Sequence, residues 1–170
     1  ARQGLSPPAD DVLTLRPRPR PAARATTHLP RRVRVLFIGE SPPASGRHFY
    51  AADSGLYRAM RAAFVRAFPA LERREFLPAF RDLSCRLVDL SEHPVDRLSS
   101  PARRAARSAC EPRLARDLRA LRPLGLVSVV RAIEPNIARV IRAADCEAEW
   151  LALPYPGRWA GPRADFIAGL

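Results

Sequence analysis

The sequence contains no lysine, so all 29 of its basic residues are arginine. This absence excludes a phosphate-binding P-loop, because the lysine of that motif contacts the phosphates. The chain has only three cysteines and no Cys-x-x-Cys pair, which favours reduced thiols over a disulfide framework or a zinc site. No apolar run approaches the roughly 20 residues of a membrane span, and no signal-peptide core is present. These absences predict a soluble, cytoplasmic protein that does not bind a membrane.

Positive charge, by contrast, is in excess. The formal net charge is +12, and hydrophobic residues make up 47% of the 170 positions, which is enough for one domain with a buried core. The arginine excess has two explanations. It can form a surface that neutralises nucleic-acid phosphates, or it can reflect a general enrichment in alanine, arginine and proline.

The first 30 residues differ in composition from the rest of the chain. Arginine and proline alternate from Arg16 to Pro21, and proline blocks the hydrogen bonding of both helices and sheets. We therefore predict an extended N-terminal arm over residues 1–30 and one α/β domain over residues 31–170. The arm is interpreted as a solvated tail, with contact to a nucleic-acid backbone as the alternative.

Four apolar runs have the length and composition of buried strands. The first run begins at Val33, and the other three are Cys85–Leu90, Leu124–Val130 and Glu149–Leu153. The segments between them show helical spacing of apolar residues. Strands that alternate with helices form βαβ units, so the sequence predicts a three-layer α/β/α fold around a four-stranded, mainly parallel sheet.

Two of the helices have further sequence signals. Asp53 or Ser54 can cap a helix in which apolar residues from Leu56 to Phe68 repeat at the spacing of a core-facing stripe, and Pro69 ends it. Ser100 followed by Pro101 predicts the start of a long helix that Pro112 bends or interrupts.

Ligands of parallel sheets bind at the carboxyl ends of the strands. Three loops should meet there: Glu40–Tyr50, Ser91–Asp96 and Pro154–Trp159. They contain two of the three histidines and several aromatic residues. The first loop lacks the spacing of a dinucleotide fingerprint, so a nucleotide cofactor is not indicated. The chain also has no Gly-x-Ser-x-Gly motif, the nucleophile elbow of α/β-hydrolases.

The segments Gly39–Pro43 (GESPP) and Gly46–Tyr50 (GRHFY) together resemble the first motif of the uracil-DNA glycosylase superfamily. In that superfamily a strand ends in glycine, a polar pair and proline, and a Gly-x-x-Phe segment supplies an aromatic platform. Glu40 matches the Gly-Glu-Ala-Pro-Gly form of the family 4 enzymes. The resemblance extends over residues 33–170, since Leu87–Arg97 and Leu153–Pro156 occupy the positions of two later motifs.

This resemblance implies a monomeric DNA glycosylase that flips a damaged or deaminated base, such as uracil, into a pocket and hydrolyses its N-glycosidic bond. Gly39 and Ser41 belong to the substrate-binding loop, in which backbone N–H groups near Glu40 and Ser41 would face a carbonyl oxygen of the base. Phe49 would stack on the base. Glu40 or Asp89 would orient water or stabilise the cationic sugar.

Four more residues receive roles from the same resemblance. His93 and Arg158 are candidate donors to the leaving base, and Tyr155 and Trp159 would fill the gap left by the flipped nucleotide. Structural alternatives exist for several candidates: Phe49 can belong to the core, Glu40 can cap a turn, and His93 can be an exposed loop residue.

The chain also departs from the family pattern. Leu153 stands at the position of the leaving-group histidine, and the Asn that recognises the base is absent, with Leu87 or Asp89 nearby. The three cysteines do not match the four that hold the family 4 iron–sulfur cluster, so we predict no cofactor and no metal. Two alternatives therefore stay open: a catalytically inactive nucleic-acid-binding relative, and a hydrolase or transferase that acts on a free nucleobase or nucleoside.

Overall fold

The computed structural model describes residues 28–156 and 160–170, so residues 1–27 of the sequence-predicted arm lie outside the described residues. Within that part of the chain, four strands form one sheet in the order β2-β1-β3-β4, and every neighbouring pair is parallel. The strands are β1 (Val35–Gly39), β2 (Cys85–Asp89), β3 (Gly125–Ser128) and β4 (Glu149–Ala152). The fold is therefore α/β with an all-parallel sheet, as the alternating pattern predicted.

Five α-helices accompany the sheet in the described residues. They are α1 (Gly55–Ala67), α2 (Phe76–Asp82), α3 (Ser100–Leu121), α4 (Glu134–Ala144) and α5 (Ala160–Gly169). None of the helices in this part of the chain is both long enough and apolar enough to cross a membrane.

The two faces of the sheet bury different side chains. Along β1, Phe37 points to one face while Leu36 and Ile38 point to the other, as the alternation of a strand requires. The Phe37 face packs against α1, α2 and α5 through a cluster rich in phenylalanine. The opposite face packs against α3 and α4 through aliphatic residues. Helices on both faces are consistent with a three-layer α/β/α arrangement.

Some predicted details were wrong. Phe68 was placed in the core but is 52% exposed, because it is the residue at which the chain leaves the helical conformation after α1. Ser99, not Ser100, precedes the first turn of α3, and the helix continues through Pro112 without interruption. Its packing against α4, which includes bonds from Asn136 and Arg139 to Glu111, supports the helix across that proline.

Tyr50 fixes the loop after β1 against the sheet. Because β2 is an edge strand, Leu87 has backbone groups without a strand partner on its outer side. The Tyr50 hydroxyl accepts a hydrogen bond from Leu87 N at 2.9 Å and donates one to Leu87 O at 3.2 Å. This contact holds the neighbouring Phe49 beside the carboxyl ends of the strands.

Candidate functional site

A pocket lies at the carboxyl ends of the strands. Its volume of about 370 Å³ is typical of small-molecule sites. All three predicted loops contribute to it: the Glu40–Tyr50 loop, the Ser91–Asp96 loop through Asp96, and the segment after β4 through Tyr155. Its apolar lining includes Phe49, Leu56, Leu87, Val129 and Val130. Its polar lining includes Glu40, Ser41, His48, Ser54, Asp89, Asp96, Arg103 and Tyr155.

Glu40, which follows β1, is buried between two arginines of α3. Arg103 Nε and Arg107 Nε each donate to Glu40 Oε1 at 2.6 Å, and Arg103 Nη2 donates to Oε2. The arginines are four residues apart, so they project from the same face of the helix. Burial alone would raise the pKa of Glu40, but the hydrogen bonds and charges of the arginines bring it below the ordinary value. Glu40 is thus ionised, and both of its oxygens are engaged.

Asp89, the last residue of β2, is half-buried and lines the same pocket without such partners. Its carboxyl group forms no hydrogen bond within the described residues. Desolvation raises the pKa of Asp89 to about 7, the charge of Glu40 adds to this effect, and the charge of Arg113 opposes it. Much of Asp89 therefore carries a proton at neutral pH.

Gly39 provides the space for the Asp89 side chain. The two residues are paired across β1 and β2, and a Cβ added to Gly39 would overlap Asp89 Oδ1. A glycine at this position allows the close approach of a neighbouring group to the backbone. The Gly39 of the sequence motif therefore has a steric role in placing Asp89.

Phe49 belongs to the core and to the pocket wall at once. Its ring is only 3% exposed because the rings of Tyr50, Tyr57, Phe76 and Phe80 surround it at steep angles. Tyr155 contrasts with it, since its side chain lines the pocket and is 48% exposed. Phe49 is therefore a fixed part of the wall, while Tyr155 is accessible to a large ligand.

The remaining predicted site residues have other positions. His93 is exposed and does not line the pocket; its backbone N–H and carbonyl bond to Ser91 Oγ. Ser41 lines the pocket, but its hydroxyl accepts a hydrogen bond from Val95 N at 3.3 Å and so ties two loops together. Arg158 and Trp159 lie outside the described residues.

Leu153, which the sequence resemblance aligns with a leaving-group histidine, is a core residue. It is buried in the aromatic cluster, and a Cβ on Gly169 would come within 2.7 Å of its Cδ2. Leu153 therefore does not line the pocket or supply a donor to it.

Sequence reasoning missed four polar residues of the pocket: His48, Ser54, Asp96 and Arg103. His48 and Asp96 lie in loops that were expected to meet, so their positions could have been proposed. His48 N donates to Asp53 Oδ1 at 2.9 Å, and Ala44 N donates to Asp96 Oδ2 at 3.3 Å. Arg103 had no comparable signal, because it is one of many arginines on α3.

A larger cavity of about 710 Å³ lies at the opposite end of the sheet, near the ends of α3 and α4. Its lining includes Arg119, Arg122, Asp145 and Glu147. The cavity is open, and it does not bring together the motif residues or a carboxyl group with a raised pKa. The pocket at the carboxyl ends of the strands is therefore the better candidate for chemistry.

The described residues contain no cluster of three or more histidine, cysteine, aspartate or glutamate side chains that could hold a metal ion. No protein-family model matches the chain, and no curated protein is significantly similar to it in sequence.

Proposed function

We propose that this protein is a divergent DNA glycosylase of the uracil-DNA glycosylase superfamily, which binds a flipped, deaminated base and hydrolyses its N-glycosidic bond. The observation that supports the proposal best is the pocket itself. It combines the motif segment Gly39–Ser41 with Phe49, the accessible ring of Tyr155 and the unpaired carboxyl group of Asp89. Apolar walls with a few polar groups suit a planar, polar base.

The reaction needs donors where negative charge develops on the leaving base. Leu153 offers none, but Arg103 and His48 both line the pocket. Arg103 is 35% exposed, and its Nη1 has no acceptor within the described residues. Arg103 is thus the best candidate for the donor that stabilises the leaving anion.

Glu40 has a positioning role in this proposal. Its two oxygens hold the guanidinium groups of Arg103 and Arg107, and because these contacts lower the pKa of Glu40, its carboxylate is a weak general base. It fixes Arg103 at the pocket instead. The net positive charge of the chain would favour the approach of DNA phosphates.

A single-turnover assay tests the proposal. The wild-type protein, in excess, is incubated with single- and double-stranded oligonucleotides that contain uracil, hypoxanthine or xanthine, and abasic sites are cleaved and counted. We expect release of at least one of these bases. Arg103→Gln should lower the rate by about a hundredfold, as loss of one charge-stabilising donor does, while the neighbouring exposed Arg104→Gln should retain the wild-type rate. No release of any base by the wild type would contradict the proposal.

A catalytically inactive nucleic-acid-binding protein is the second candidate, and two observations favour it. Glu40 is fully paired, and Leu153 is buried in the core. Such a protein would bind DNA with a strong dependence on salt, and would release no base from any of the oligonucleotides. Equal DNA affinity of wild type and Arg103→Gln, together with no release, would establish this alternative.

A further inference from the structure

Asp89 has an unusual combination of position and environment. It ends an edge strand, lines the pocket beside Phe49 and Leu87, and forms no side-chain hydrogen bond within the described residues. An unpaired carboxyl group in a partly buried site is costly unless a ligand or water completes its bonding. Its bonding capacity is therefore available to whatever enters the pocket.

The charged and titratable groups around Asp89 come from several elements. Glu40 lies at the end of the neighbouring strand, and Arg113 of α3 donates to the backbone oxygens of Asp89 and Leu90 at 2.6 and 2.9 Å. The hydroxyl groups of Tyr50 and Tyr155 are close enough to interact electrostatically with Asp89. The same pocket also contains His48, Asp96 and Arg103.

Arg113, whose positive charge lowers the pKa of Asp89, does not form a hydrogen bond with its carboxyl group. Its Nη2 is used by the two backbone oxygens, and its Nη1 donates to Asp117 at 2.8 Å. The negative charge of Glu40 disfavours a second negative charge at this end of the sheet. With a pKa of about 7, Asp89 is divided between the protonated and the ionised form at neutral pH, and it is mainly protonated below that pH.

A protonated carboxyl group has one donor and one acceptor side by side. The imide edge of uracil and the corresponding edge of hypoxanthine present an N–H group next to a carbonyl oxygen, which matches that pair. We propose that Asp89 is the residue that recognises the base, through two hydrogen bonds to the imide edge of an oxo base. This inference rests on the proposed function, because it names the substrate group for the same pocket.

The ionisation state of Asp89 then controls recognition. The ionised carboxylate can only accept, so it would keep the bond from the imide N–H but would face the carbonyl oxygen with a negative charge. Affinity for the base should therefore be highest below the pKa of about 7 and should fall as the pH rises above it. An asparagine at this position has the same donor and acceptor at every pH.

The experiment measures binding without cleavage. Two oligonucleotides are compared: one carries 2′-fluoro-2′-deoxyuridine, whose glycosidic bond resists hydrolysis, and the other carries a tetrahydrofuran abasic analogue at the same position. The ratio of their affinities isolates the contribution of the base from that of the backbone. For the wild type, this ratio should fall about thirtyfold between about pH 6 and about pH 8.5, since only the protonated form of Asp89 makes both bonds.

Variants separate recognition from other roles of the carboxyl group. Asp89→Asn should keep a high ratio that is independent of pH, whereas Asp89→Ala should bring the ratio close to one at every pH. Asp145→Asn, an exposed change at the end of α4 on the opposite side of the sheet, should behave as the wild type. Any pH dependence that originates from another group of the pocket would persist in Asp89→Asn and so be recognised. A wild-type ratio that does not fall, or an Asp89→Asn ratio as low as that of Asp89→Ala, would overturn the inference.

Cleavage of the matching uracil oligonucleotide, measured in parallel, separates this inference from the proposed function. If the base is recognised with the expected pH dependence but never released, the glycosylase proposal fails and the role of Asp89 in recognition stands. If uracil is released but Asp89→Asn is as defective as Asp89→Ala, Asp89 acts as a base or an electrostatic group, and the inference fails while the proposed function stands.

Discussion

The ends of two neighbouring strands offer an instructive comparison. Glu40 follows β1 and Asp89 ends β2, and Gly39 and Asp89 are paired across the two strands. Glu40 is held by two arginines and has a lowered pKa, whereas the carboxyl group of Asp89 has no hydrogen-bond partner within the described residues and a pKa raised to about 7. Two carboxyl groups on adjacent strands thus have opposite protonation behaviour.

The difference comes from the direction in which each side chain leaves the sheet. Glu40 meets the face of α3 that carries Arg103 and Arg107, while Asp89 enters the pocket next to apolar residues. The two carboxyl groups are also coupled, because the charge on Glu40 helps to keep the proton on Asp89. Pairing one carboxylate firmly and leaving the other unpaired produces one structural group and one group that is free to bind a ligand.

Removing the charge of Glu40 should have the largest effect on stability. Glu40→Gln leaves Arg103 and Arg107 without their shared anion, and loss of one partner from a buried ion pair typically costs about 3 kcal/mol or more. Urea unfolding followed by circular dichroism at neutral pH measures this loss. Glu149→Gln, an exposed change on β4, is the control and should alter the free energy of unfolding by less than about 0.5 kcal/mol.

The pH dependence of the Glu40 effect has a defined sign. Because the folded-state pKa of Glu40 is lowered, its contribution is present above the ordinary glutamate pKa and is lost as the pH falls through the folded value. The wild type and Glu40→Gln should therefore converge in stability in acid. A variant as stable as the wild type at neutral pH would show that the ion pairs contribute nothing.

Replacing Asp89 with a residue that does not titrate should change the free energy of unfolding by less than Glu40→Gln does. The dependence of this change on pH should have the opposite sign. Because its folded-state pKa is raised to about 7, the unfolded chain loses this proton first, and stability from Asp89 is lost as the pH rises from about 4 to about 7. Asp89→Asn avoids that loss. Allowing for partial solvent access, we expect it to be more stable than the wild type by about 2 kcal/mol at pH 8 and similar to it below pH 4.

Asp145→Asn again serves as the matched control, because Asp145 is exposed and lies at the end of α4, at the opposite end of the sheet from the pocket. The difference in the free energy of unfolding between Asp145→Asn and the wild type, measured in urea, should be the same at acidic and at alkaline pH. A stability difference for Asp89→Asn that is constant across the same range would mean that Asp89 titrates normally in the folded protein.

The comparison also shows how far sequence reasoning reaches. The end of β1, the parallel sheet and the meeting of three loops follow from local patterns, because apolar runs, glycine and proline act within a few residues. Glu40 and Asp89 could be named as candidates on the same grounds. Their residue types alone do not distinguish them.

The distinction depends on contacts between distant parts of the chain. Glu40 is paired with arginines that are 63 and 67 residues further on, and only the packing of α3 against the sheet decides which of its many arginines reach that strand end. His93 illustrates the converse, since it lies in the expected loop but on its exposed side. Composition and spacing carry no information on which side of a loop faces the pocket.

The smallest stability effect is expected at the point where the two strand ends touch. Gly39→Ala places a Cβ against Asp89 Oδ1, and the short aspartate side chain can rotate away, so the cost in stability should be about 1 kcal/mol. The displaced carboxyl group would no longer be held in its place in the pocket. The base-to-abasic affinity ratio at pH 6 should therefore fall about tenfold, as the loss of about one good hydrogen bond implies.

Gly55→Ala is the matched control: its Cβ would meet no atom within 4 Å, so it should retain the wild-type ratio. If Gly39→Ala also retained that ratio, the close contact between the strand ends would have no part in positioning Asp89, and the two carboxyl groups would differ only in their charged neighbours.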